Sequence, residues 1–204
     1  DVEAVSSGPQ LMVDIEAGAG AGERMRAAFQ AAPIACVVLR LASSPGDEGG
    51  LIATAQKAGV AVVIADDVSA ARRLKADGVH LSQGGDLVGR LEVARKELGQ
   101  QAIIGCDAGL SRHDAMEAGE AGASYLAFTG DLDDQLDMID WWAELFELPC
   151  IGTGVRDAVV AMECACAGAD FVSLSIDHAL PPSEVGTLVA ACAAAVSVTE
   201  GAAP

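Results

Sequence analysis

Short β-branched apolar runs alternate with longer Ala-, Leu-, Glu- and Lys-bearing segments along the whole chain. Residues 11–15, 36–41, 61–66, 78–82, 102–107, 124–129, 149–153 and 171–175 read as eight strands. Most of these runs are continuously apolar instead of alternating, the pattern of parallel strands covered on both faces. Their starts lie 25, 25, 17, 24, 22, 25 and 22 residues apart, each interval the size of one strand-plus-helix unit. Between them, Ser69 precedes a helical stretch at 70–76, and Ser111 with Asp114 resembles a capping box for a helix running to Ala121. Asp134 opens an amphipathic segment in which Leu136, Ile139, Trp142 and Phe146 recur at helical spacing. Gly59, Gly99, Gly122 and Gly168 mark helix ends. This even cadence predicts an α/β fold, a single-domain (β/α)8 TIM barrel over residues 1–204, with about 1–8 and 200–204 flexible. A doubly wound open sheet is the alternative, but Gly152-x-Gly154 lacks the third glycine and the acidic residue of a dinucleotide site.

Composition narrows what such a barrel does. Hydrophobic residues make up 51% of the 204 residues but aromatics only 3%, so the core is built from Ala, Val, Leu and Ile. Twelve Lys and Arg stand against 30 Asp and Glu, a net charge of −18. That sign excludes a nucleic-acid partner, which needs cations to displace counterions, and disfavours an anionic membrane surface. No apolar run reaches the roughly 18 residues of a membrane span. The acidic, Met-less start Asp1-Val2-Glu3 reads as a trimmed chain and not as a signal peptide. The cysteines Cys36, Cys106, Cys150, Cys164, Cys166 and Cys192 sit in apolar runs without a C-x-x-C pair, which suggests buried thiols in a reducing cytoplasm.

In a barrel the chemistry lies at the C-terminal strand ends. Those ends are acidic here: Asp14 and Glu16, Asp66 and Asp67, Asp86, Asp107, Asp131 and Asp177, with Arg40 the cation closest to a strand end. Gly152, Gly154 and Ser175 after the last two strands suggest a phosphate site, since a backbone amide approaches an anion where no Cβ intervenes. The competing reading is a tight strand-to-helix turn. Asp66 and Asp86 offer oxygen ligands suited to Mg2+, or act as helix N-terminal acids. His80 faces either the barrel interior or the helix layer, and reads as a packed histidine before a base. His178 beside Asp177 lacks a third group for acid–base work. Trp141, Trp142 and Phe146 form either an exposed patch for a homodimer or a set covered by neighbours.

At these strand ends the sequence resembles the thiamine phosphate synthase family, which includes a thiazole tautomerase branch. Residues 76–83, A-D-G-V-H-L-S-Q, resemble the family's A-D-G-V-H-L-G-Q. Residues 122–125 (G-A-S-Y), the stretch from Pro149 to Val155, and residues 168–175 from Gly168 to Ser175 follow in the family's order. The resemblance implies a TIM barrel that binds a phosphorylated small molecule. It further implies a reaction in which a pyrimidine pyrophosphate loses pyrophosphate, assisted by Mg2+ and cations, and the nitrogen of a thiazole phosphate captures the carbocation. Within the family's Q-x-R-x-K only Arg40 is kept; N-D-R reads Ala65-Asp66-Asp67; Asp86 sits one residue late; Asp107 stands near the strand-5 serine; and the threonine-lysine loop has become Gly130-Asp131-Leu132-Asp133-Asp134. The tautomerase histidine falls near Gly130. Departure of pyrophosphate needs preorganised cations, so these changes point to a diverged member. The alternatives are a non-catalytic or regulatory phosphate-ligand-binding paralogue and an enzyme for a cationic or metal-complexed substrate.

Overall fold

The computed structural model describes residues 8–43 and 46–198. The expected flexible ends, about 1–8 and 200–204, therefore lie outside the described residues except for Gly8. In the first half of the chain the order is β1 (Gln10–Glu16), α1 (Ala21–Ala31), β2 (Ile34–Arg40), α2 (Glu48–Lys57), β3 (Ala61–Ala65), α3 (Val68–Leu74), β4 (Gly78–Leu81) and α4 (Leu87–Leu98). The second half continues with β5 (Ile103–Asp107), α5 (Arg112–Glu120), β6 (Tyr125–Phe128), α6 (Leu132–Leu145), β7 (Cys150–Val155), α7 (Ala158–Cys166), β8 (Phe171–Ile176) and α8 (Pro182–Ser197). Every strand pairs in parallel with its sequence neighbours, and β8 returns to β1, so the sheet closes. This is the predicted single-domain (β/α)8 barrel, and closure excludes the open sheet.

Strand alternation sorts the core into two layers. Outward residues such as Val13, Leu39, Ile64, Val79, Ile104, Leu126, Cys150 and Leu174 join the helices in one large cluster. Inward residues Met12, Cys36, Val38, Val63, Tyr125, Ala127 and Ile151 form a second cluster inside the barrel. The runs look continuously apolar because both faces are buried, by different partners.

Helix ends follow local chemistry. The Asp67 side chain accepts from Ala70 N and starts α3 two residues before the expected Ser69. Ser111 accepts from Asp114 N, as its spacing predicts. Helix α6 begins at Leu132 and not at Asp134, because Asp131 takes the extended N-cap conformation. Gly59, Gly99, Gly122 and Gly168 all follow helices with positive φ. Trp142 is buried, stacked on Phe146 at 3.9 Å and edge-on to Trp141 at 5.7 Å, while Arg112 lies 4.7 Å over Trp141. Most of the aromatic patch is thus covered by its own neighbours.

Candidate functional site at the barrel mouth

The inward positions at the C-terminal strand ends open onto a cavity of about 500 Å³. Its floor and walls are Met12, Val38, Tyr125, Ala127 and Ile151, and its rim carries Asp14, Arg40, His80, Ser82, Asp107, Thr129, Thr153, Gly154 and Ser175. Arg40 faces it from the end of β2, but its Nε and Nη2 are bound to both oxygens of Asp14, at 2.6 to 3.0 Å. These bonds hold the guanidinium pKa above its ordinary value. Little of that positive charge is left for an incoming anion.

The floor is set by a glycine. A Cβ on Gly105 would lie 1.9 Å from Cζ of Tyr125, so only glycine on β5 lets that ring cross the barrel interior. The Tyr125 hydroxyl then meets His80 Nδ1 at 2.9 Å. His80 is buried and faces the interior, which resolves its two expected orientations. Burial pushes its pKa below the usual imidazole value, against the pull of Asp107 and Asp14, and pushes the Tyr125 phenol well above its own. Both are neutral near pH 7, so the site holds a packed, satisfied pair here.

Of the expected phosphate residues, Gly154 and Ser175 line the cavity and Gly152 does not. The ladder between β7 and β8 shifts register between Gly152 and Val155, leaving Thr153 and Gly154 without a partner position on β8. Gly154 has φ 72° and open space where a Cβ would project. Gly152 has a different reason to be glycine: a Cβ there would lie 2.6 Å from Cys164 Sγ, so it lets α7 sit down on the sheet.

Each member of the expected metal pair is engaged by bonds of its own. Asp66, at φ 56°, accepts from Ser82 N and Ser82 Oγ and from Arg90 Nη2 at 2.8, 2.6 and 2.6 Å. Burial raises its pKa, but the Ser82 bonds and Arg90 outweigh this and leave it below the usual carboxylate value. Asp86 caps α4 by accepting from Gly89 N at 2.8 Å. One carboxylate already has a cation and the other closes a helix, so this pair does not fit a resident Mg2+ as arranged, and no step below passes through one. Among the described residues, the one group of three or more His, Cys, Asp or Glu side chains within ligating reach is the exposed set His113, Asp114 and Glu117 on α5.

Sequence reasoning left Tyr125 and Gln135 out of the site and gave Thr129 and Thr153, at the ends of β6 and β7, no role. Thr129 Oγ1 donates to Asp107 Oδ2 at 2.7 Å and lies 2.8 Å from Thr153 Oγ1, while Gln135 Nε2 reaches Thr153 Oγ1 at 3.1 Å. Period-two alternation after Tyr125 would have placed Ala127 and Thr129 on the same inward face.

Fold and mouth together define a class: a (β/α)8 barrel whose polar cavity opens at the C-terminal strand ends, where such barrels place their chemistry. The thiamine monophosphate synthase profile matches residues 23–176. The thiamine-phosphate synthase of Rhodospirillum centenum is 36% identical over 165 residues, 74% of this chain and 78% of that protein. Those of Erythrobacter litoralis and Hyphomonas neptunium are each 42% identical, over 127 and 132 residues, and in both the chain spans 58% of the relative's length. The chain belongs to the thiamine monophosphate synthase family. Among solved structures, thiamine phosphate pyrophosphorylase from Pyrococcus furiosus superposes with a TM-score of 0.75 at 20% identity, covering 93% of this chain and 96% of that one. Tryptophan synthase from M. tuberculosis gives 0.74 at 14% identity, covering 94% of each chain, a likeness of fold alone.

Proposed function

We propose that this chain is a diverged member of the family that binds a phosphorylated thiazole- or thiamine-type ligand at the C-terminal face of the barrel. One observation carries the reading: Thr153 and Gly154 leave the β7–β8 ladder beside Ser175, on the wall of the apolar-floored cavity at the C-terminal strand ends. Unladdered amides and a hydroxyl on one side suit a phosphate, while Met12, Val38, Tyr125 and Ile151 suit a flat ring.

Divergence rests on charge. The cavity's cation, Arg40, is already paired with Asp14, and no lysine is among the described residues that line the cavity. Leaving pyrophosphate carries an electron pair away from carbon, and the site offers little to stabilise the charge that develops. The proposed role is therefore ligand binding without efficient pyrophosphate displacement.

Calorimetric titration with thiamine phosphate tests this. Saturable binding, indifferent to Mg2+ and weakened at least tenfold in Gly154→Val of unchanged circular dichroism, is expected. No binding, or equal binding by the variant, overturns the ligand assignment. Pyrophosphate release from the two phosphorylated precursors at rates typical of enzymes, about 1 s⁻¹ or more, overturns the divergence.

A further inference from the structure

Among the charged side chains that line the cavity, Asp107 makes no ion pair with any described residue, although the charge of Arg40 reaches it across the mouth. Asp14 and Arg40 answer each other, whereas Asp107 is 6% exposed and makes its described hydrogen bonds only to neutral groups. Its Oδ1 accepts from Gly109 N at 2.8 Å and its Oδ2 from Thr129 Oγ1 at 2.7 Å. A hydroxyl has one proton to give. With that of Thr129 on Asp107, Thr129 is left as an acceptor toward Thr153 at 2.8 Å, and the single Thr153 proton is divided between Thr129 Oγ1 and the Phe128 carbonyl at 2.9 Å, while Gln135 Nε2 reaches both Thr153 Oγ1 and that carbonyl. Thr129 thus fixes the carboxylate directly, and Thr153 of β7 and Gln135 of α6 are joined to it in one hydrogen-bonded cluster.

This is a built acceptor. A carboxylate offers about four acceptor directions, and the protein fills two of them. Asp107 lines the cavity, whose nearby walls are the Tyr125 ring, Ala127 and the neutral His80. A buried anion with free acceptor directions beside flat apolar walls recognises a planar group carrying paired N–H donors and positive charge. The same charge opposes any anion brought into that half of the cavity.

We infer that Asp107 sets the specificity of this cavity: it takes the paired N–H groups of a planar cationic nitrogen ligand of amidinium type, and excludes pyrophosphate from the β5–β6 side. The inference rests on the reading above, since it assigns the half of the cavity that the phosphate does not use.

Benzamidinium, its neutral counterpart benzamide, inorganic pyrophosphate and inorganic phosphate are the probes. Benzamidinium is expected to bind at least tenfold tighter than benzamide, with that preference lost in Asp107→Asn. Pyrophosphate is expected to bind Asp107→Ser at least tenfold tighter than the unaltered chain. Should either variant fold poorly, the unaltered protein still decides: benzamidinium, and not benzamide, should shift the Gly109 amide resonance. Equal affinity for benzamidinium and benzamide, a preference that survives Asp107→Asn, or a silent Gly109 overturns the inference. Inorganic phosphate separates the two readings. If its binding depends on Gly154 while benzamidinium ignores Asp107, this inference alone falls. If benzamidinium depends on Asp107 while phosphate ignores Gly154, the phosphate side alone falls.

Discussion

Single residues at the mouth have been chosen by what stands opposite them. Gly105 is small because Tyr125 crosses above it, and Tyr125 crosses because His80 waits on β4. A histidine buried as the neutral form makes stability depend on pH, because the unfolded chain takes up a proton that the folded chain resists. Its contribution is intact above the ordinary imidazole value of 6.5 and is lost as pH falls from there toward the depressed folded value. The slope is at most about 1.4 kcal/mol per pH unit. Urea unfolding at pH 7.5 and 5.5 should therefore show a larger loss in the unaltered chain than in His80→Asn. Equal losses would mean that the buried imidazole is not the titrating group.

At the scale of the element, Asp86 shows how one carboxylate admits two readings. As the N-cap of α4 it bonds Gly89 N, and loss of such a cap costs about 1 kcal/mol. Asp86→Ala should lower stability by about that amount, equally with and without Mg2+; a decrement that appears only with the ion would restore a metal role. The eight strands were legible because each is a bounded run of apolar residues, and their spacing left room for one helix each. Helix starts were legible where a side chain caps the next turn, as at Ser111, and slipped by two residues where another aspartate did so, at Asp67, or where only the backbone conformation marks the start, at Asp131. The site was legible at Gly154, Ser175 and Arg40, which sit at strand ends. Asp14 as the partner that quenches Arg40, and Gln135 as the amide that reaches Thr153, were not, because both depend on the register and side-chain direction of neighbouring elements.

For the whole molecule, closure places five of the six cysteines in dry surroundings. Burial pushes Cys36, Cys106 and Cys150 up to about 12, and Cys164 and Cys192 to about 11, far from reactive thiolates. Cys166, two residues beyond Cys164 on α7, is exposed, the exception to the expected burial. A disulfide-exchange reagent at pH 8 should titrate one thiol per folded chain and six in guanidinium; more than one before unfolding would mean that the barrel opens readily.

The contact between Gly152 and Cys164 has a consequence for how this sequence can drift. The space is so tight that a Cβ at 152 would lie 2.8 Å from the Cβ at 164, closer than two such atoms are found. The two positions therefore cannot wander separately. A descendant with alanine at 152 must either carry glycine at 164 or lift α7 away from the sheet. Lifting that helix would move the unladdered turn at Thr153 and Gly154 that leads into it. A neutral-looking methyl group on the outer face of the barrel is thus tied to the shape of the mouth, and kinship among such chains would show it as paired change at two positions.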